Sequence, residues 1–255
     1  MKYKGHWKAD KEDGEGIRYF LFEDSFIENN DRCEDFFPYD EDLIDSYNKN
    51  YYIYDKEHIC YEGQWTNGTK NGRGIYHYYN GVDKYNGEWI SDQKSGKGEL
   101  RDRNGRLIYY GNFLKNKKDG LGSLYDKNGL KYFGNFENDK YNGYGIYYNK
   151  IENYVIRGYF VNGELNGPAN MYLIYDYTFE KNLFEGVFLN GKLDGHSTFY
   201  GDSEIIYAVY DKGRQITDYF AVKNNTMELK KENRFIDELF KNFSIFTNGI
   251  NENSM

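Results

Sequence analysis

From residue 61 onward, large apolar residues stand at alternate positions in short runs, and glycine- and asparagine-rich stretches separate the runs. Tyr61, Gly63 and Trp65 alternate with Glu62 and Gln64, so one side of a strand carries rings and a glycine and the other carries polar groups. The order returns at Tyr85-Asn86-Gly87-Glu88-Trp89, Tyr109-Tyr110-Gly111-Asn112-Phe113 and Tyr132-Phe133-Gly134-Asn135-Phe136. It opens the chain at Tyr3-Lys4-Gly5-His6-Trp7, and weaker copies stand at Ile156-Arg157-Gly158-Tyr159-Phe160 and Phe184-Glu185-Gly186-Val187-Phe188. Nine positions after each central glycine comes another: Gly14, Gly72, Gly96, Gly120, Gly143, Gly167 and Gly195. In five copies a further glycine follows two residues later (Gly16, Gly74, Gly98, Gly122, Gly145), while Ala169 and Ser197 take that place in the last two. Tyr207 to Gly213 reads as a truncated eighth copy.

Asn67-Gly68, Asn162-Gly163 and Asn190-Gly191 predict tight turns after the first strand of a copy. Gly72-Arg73-Gly74-Ile75-Tyr76 begins a return strand, and Asn80-Gly81, Asn104-Gly105 and Asn128-Gly129 turn the chain into the next copy. Each copy is thus one hairpin, and the glycine between two rings leaves a gap in which a neighbouring ring lies flat. A lone hairpin is marginal in water, whereas stacked hairpins share rings and become stable.

These residues resemble the MORN repeat family. Its pattern of Tyr-x-Gly-x-Trp, Asn-Gly and Gly-x-Gly-x-Tyr is reproduced nearly in full at 61–81 and 85–105, and the resemblance spans residues 3–22 and 51–213. It implies an all-β fold: an elongated single-layer antiparallel sheet of tandem β-hairpins, a MORN solenoid, with an aromatic groove. The family is linked to cytoskeletal and ciliary scaffolds, to membrane junctions, and to modules attached to lipid kinases and methyltransferases. Neither kind of catalytic domain is legible here.

The expected organisation is a first repeat at 1–22, an acidic insert at 23–50, the repeat array at 51–213, a linker at 214–225, an amphipathic helix at 226–246 and a tail at 247–255. The insert reads as a solvated loop or as a docking site for a basic partner. From Thr226 to Phe246 glycine vanishes, and Phe235, Ile236, Leu239, Phe240 and Phe243 recur at three- and four-residue spacing. That spacing predicts a C-terminal capping α-helix with Asn225 or Thr226 as N-cap. It would cover the open end of the array, or serve a partner or a membrane interface.

Composition sharpens this picture. One residue in five is aromatic, with 28 glycines and 2 prolines, so the apolar content is concentrated in flat rings. The net charge of −8 is local: residues 23–45 hold ten acidic side chains against Arg32 alone, and the remainder is nearly balanced. No linear basic cluster points to nucleic acid, and the charge disfavours anionic lipid. No apolar run approaches the roughly 20 residues of a membrane helix.

Candidate chemistry is sparse. Cys33 and Cys60 cannot build a disulfide framework or a four-ligand zinc site, and His58 beside Cys60 offers too few ligands. Gly68-x-x-x-Gly72-x-Gly74 lacks the Lys-Ser/Thr pair of a phosphate loop and leads into a strand. No catalytic constellation, metal site or cofactor is expected. The opening residues carry no apolar signal core, which sets the expectation of a cytoplasmic protein. The family resemblance places it at the cytoskeleton or at the cytoplasmic face of a membrane.

The expected function is that of a non-catalytic scaffold or adaptor. It would bind an extended segment or amphipathic helix of a partner protein along a groove of Tyr61, Trp65, Tyr76, Tyr85, Trp89, Tyr109, Phe113, Tyr132, Phe136 and Tyr147. The same rings are also the only core such an array has. The alternatives are a phospholipid-binding tether, and an accessory subunit that uses the acidic insert. The sequence sets no oligomeric state.

Overall fold

The computed structural model describes residues 2–20, 58–78, 83–176, 179–223 and 226–230, together with Ile236. Two compact units divide the chain, residues 1–117 and 118–255. In the first, β1 (Lys2–Lys8), β2 (Lys11–Phe20), β3 (His58–Thr66), β4 (Thr69–His77), β5 (Asp83–Ile90), β6 (Gln93–Arg101) and β7 (Leu107–Leu114) pair antiparallel in chain order. In the second, β8 (Lys117–Asp126), β9 (Gly129–Glu137), β10 (Lys140–Asn149), β11 (Tyr154–Val161), β12 (Glu164–Asp176), β13 (Phe179–Leu189), β14 (Lys192–Tyr200) and β15 (Ile205–Asp211) do the same. The short β16 (Arg214–Gln215) and β17 (Tyr219–Lys223) both pair with β15, and β18 (Thr226–Lys230) pairs with β17. Every strand among the described residues pairs antiparallel, so the fold is nearly all-β, as the period-2 pattern requires.

The motif glycines have two different jobs. Gly72 sits at φ +95° beside a register slip in which three residues of β4 face one of β3, so it makes a bulge that few side chains tolerate. Gly74 has no such dihedral; its neighbour decides it. A β-carbon there would lie 2.0 Å from the Tyr61 hydroxyl and 2.3 Å from Cζ, because the Tyr61 ring lies flat on the paired glycines 63 and 74. Tyr85 lies on Gly87 and Gly98 in the same way, and Tyr132 on Gly134 and Gly145. The gap between rings is therefore filled by each copy's own tyrosine. The sixth copy follows the same logic. Where Ile156 replaces the tyrosine, no ring needs that floor, and Ala169 stands opposite Gly158.

The turns lock successive copies together. Asn67 and Gly68 both have positive φ, as a two-residue hairpin demands, and so do Ser91 with Asp92, Lys115 with Asn116 and Asn138 with Asp139. The Asp92 amide donates to the Lys70 carbonyl at 3.0 Å, and the Lys70 amide donates back to Asp92 Oδ1 at 2.9 Å. Asn116 repeats this clamp on Lys94, and Asp139 on Lys118. Each tip thus staples itself to the preceding return strand.

The C-terminal region departs from expectation. Thr226–Lys230, read as the start of a helix, forms β18, and the linker at 214–225 contains β16 and β17. Edge pairing wins here: Phe220 and Val222 on β17 supply a ladder for Leu229 and Met227. Of the expected helix face only Ile236 is described, helical in backbone and buried. Phe235, Leu239, Phe240 and Phe243 lie outside the described residues, as does the acidic insert.

Candidate functional site

Each sheet has a ring face and an outer face. All ten expected groove residues lie on the ring face, and none is more than 8% exposed. In the first unit, Tyr61 meets Trp65 and Trp89 edge-on at 5.0 and 5.5 Å, and Tyr85 meets Trp89 and Phe113 edge-on at 5.0 and 5.2 Å. Tyr109 meets Phe113 at 5.1 Å, and Tyr76 leans on Trp89 at 6.2 Å. In the second unit, Tyr132 packs against Phe136 and stacks on Tyr141, and Tyr147 leans on Tyr154. The expected exposed trough is a closed core at these ten positions, because tyrosine bends over glycine and fills the space a partner would need.

Polar atoms within this core are satisfied locally. The hydroxyls of Tyr61, Tyr85, Tyr109 and Tyr132 each donate to the carbonyl three residues on, at 3.0–3.2 Å. Trp65 Nε1 donates to the Gly16 carbonyl, and Trp89 Nε1 to that of Gly74, both at 3.2 Å. Burial, with Glu15 beside Tyr61 and Glu88 beside Tyr85, pushes both phenols above their ordinary range, so they stay neutral.

The fold also gathers cations that are scattered in sequence. The Lys70 ammonium, buried, sits 4.6 Å from the Trp89 ring centre, 5.2 Å from Tyr76 and 5.8 Å from Tyr61. Arg18 covers Trp65 at 4.2 Å and pairs with Glu12 at 2.5 Å. Lys84 lies over Tyr76 and Tyr78, and Arg103 over Tyr78. Burial, then the charges of Lys94 and Arg103, bring the Lys84 ammonium down to about 8.

The outer faces differ between units. In the first, one cross-strand row runs Lys4, Ile17, Glu62, Ile75, Asn86, Glu99 and Tyr110. A parallel row contains Gln64, Arg73, Glu88 and Lys97, and a shallow depression there is lined by Gln64, Asn71, Gly72, Arg73, Glu88, Trp89 and Ile90. In the second unit the first row mixes apolar Phe133, Ile146, Tyr207, Phe220 and Leu229 with Ser123, Arg157, Asn170, Glu185 and Thr198, and the parallel row carries Leu121, Tyr144, Tyr159, Pro168 and Val187 beside Asn135. Phe133 faces Ile146, exposed Tyr144 and Tyr159 meet edge-on at 5.4 Å, and Pro168 faces Val187. Farther along, Tyr207, Phe220 and Leu229 are cross-strand neighbours, all exposed. The sequence signal was present: Phe133, Tyr144 and Tyr159 occupy motif positions that are polar in the early copies.

Chemically the described residues offer recognition. His77 stands between Glu62 (Nε2 to Oε1, 3.5 Å) and Asp83 (Nδ1 to Oδ1, 3.2 Å). Among the described residues no group of three or more His, Cys, Asp or Glu is placed to hold a metal. No helix among them is long and apolar enough to cross a membrane.

No curated protein matches the chain. The MORN repeat family model matches residues 3–20, 61–82, 85–105, 109–131 and 132–150, the copies with tyrosine at the first ring position and glycine in the return strand. The tyrosine-on-glycine packing and the five matched segments agree on one identity: this chain is a MORN-repeat protein.

Proposed function

We propose that the chain is a non-catalytic adaptor that holds an amphipathic helix of a partner protein against the outer face of its second unit. MORN repeats are general protein- and membrane-interaction repeats, and arrays of them are typically non-enzymatic. The observation that carries the proposal is the exposed strip of Phe133, Tyr144, Tyr159 and Val187, at motif positions that the copies at 61–81 and 85–105 fill with Glu62, Asn86, Arg73, Lys97, Gln64 and Glu88. Exposed rings bordered by polar groups mark contact surfaces, and tyrosine gives contact area at low entropic cost. A helix suits the geometry. Strands follow one another every ~4.8 Å, close to the ~5.4 Å pitch of a helix, so one apolar side chain per turn meets each strand.

Cross-linking and capture with the full chain test this. The comparison sets the wild type beside Tyr144→Ser/Tyr159→Ser, and beside Glu62→Lys/Arg73→Glu on the other unit. A partner that cross-links through an amphipathic helix is expected to be lost only from the first variant. Retention by that variant, with its melting curve unchanged, overturns the reading. Flotation with phosphoinositide vesicles separates the lipid alternative: salt-sensitive binding unaffected by Tyr144→Ser/Tyr159→Ser would favour a membrane surface.

A further inference from the structure

Among the described residues the ring side of β1 is left open. In the first unit the tryptophans at the fifth motif position of the second and third copies are enclosed. Trp65 is 2% exposed, held edge-on between Tyr61 and Tyr3 of the preceding copy, and Trp89 is 3% exposed between Tyr85 and Tyr61. Each also donates its indole N–H to a glycine carbonyl of the preceding return strand. Trp7 occupies the same motif position on β1 and is 58% exposed. Among the described residues its one ring contact is its own copy's Tyr3, at 5.1 Å. Gly5 likewise ends a ladder of facing glycines that runs through Gly16, Gly63, Gly74, Gly87, Gly98 and Gly111. On one side, then, β1 presents half of a contact that is complete in each later copy.

Charge selects the occupant. Lys2, Lys4, His6 and Lys8 alternate with Tyr3, Gly5 and Trp7, so the face opposite the rings is wholly basic and exposed. Lys4 and Lys8 form no ion pair among the described residues. A second β1 laid antiparallel about Gly5 would set lysine against lysine or histidine, which disfavours self-pairing. The interior supplies the template for the missing strand. The return strands that precede a ring strand carry small residues on the ring side, as Gly14 and Gly16 do opposite Trp65 and Gly63. We propose that the β1 edge takes an extended acidic segment of another protein as an added strand. Its small residues would face Gly5 and Trp7, its Asp or Glu would alternate opposite Lys4, His6 and Lys8, and a backbone carbonyl would accept the Trp7 indole N–H.

The test uses the full chain and a fluorescein-labelled, amidated peptide, Ser-Glu-Gly-Glu-Gly-Glu-Ser, with a counterpart carrying Lys for Glu. The acidic peptide is expected to bind saturably by anisotropy and to slow hydrogen exchange at the β1 amides. Lys4→Glu/Lys8→Glu should weaken it by about ten-fold and reverse the preference toward the lysine peptide. Trp7→Ala should weaken both. Tyr144→Ser/Tyr159→Ser should change nothing, which separates this surface from the helix site. No saturation with wild type, or binding indifferent to the Lys4→Glu/Lys8→Glu reversal, overturns the proposal.

Discussion

Gly74→Ala isolates the contact on which the array depends. The substitution asks for no forbidden backbone, since Gly74 is outside the left-handed region, so its cost is steric. The added methyl would lie 2.0–2.5 Å from the hydroxyl oxygen and two ring carbons of Tyr61, and that ring cannot yield gently. It is 1% exposed, wedged between Trp65 and Trp89, and tied by its hydroxyl to the Gln64 carbonyl. Relief means lifting the ring from its glycine floor. Overpacking a core costs about 1–3 kcal/mol, and losing a buried aromatic outright costs about 3–5 kcal/mol. Gly74→Ala should therefore destabilise by about 3 kcal/mol, and Tyr61→Ala by about 4 kcal/mol. The decisive measurement is the double variant. With the ring gone the methyl has room, so the pair should cost about 4 kcal/mol in place of the additive ~7 kcal/mol, a coupling of about 3 kcal/mol. Urea unfolding followed by fluorescence of Trp65 and Trp89, both edge-on to Tyr61, reads the affected copy directly. Additivity within about 0.5 kcal/mol would refute the ring-on-glycine account.

Two further outcomes follow from the clamps and the buried cations. Asp92→Ala removes the acceptor for the Lys70 amide and puts alanine at φ +65°, so it should cost about 2–3 kcal/mol in urea unfolding. Asp92→Asn should stay within about 0.5 kcal/mol, because Asn116 performs the same role in the next copy. Lys84 predicts a pH dependence. Its folded pKa, about 8, lies below the unfolded 10.5, so between those values the unfolded chain holds more protons and stability rises with pH. Lys84→Met should raise the urea midpoint at pH ~7 and remove that rise; a slope retained in the variant would assign it to another group.

The sequence by itself determined the repeat, the strand alternation, the turns at Asn67-Gly68, Asn162-Gly163 and Asn190-Gly191, and the family; the expected turn at Asn80-Gly81 lies outside the described residues. These are encoded within one copy, where period-2 spacing and Asn-Gly pairs act over a few residues. It could not assign accessibility. Tyr61 reads equally as groove lining and as core, and only the fold leaves it 1% exposed with its ring laid over Gly63 and Gly74. Thr226–Lys230 has the polarity of a helix start and becomes β18 because β17 offers it a free ladder, a choice made by a neighbour and not by propensity. Lys70 is an unremarkable turn-proximal lysine in the chain. Only the fold encloses its ammonium among the rings of Tyr61, Tyr76 and Trp89, two of which belong to other strands.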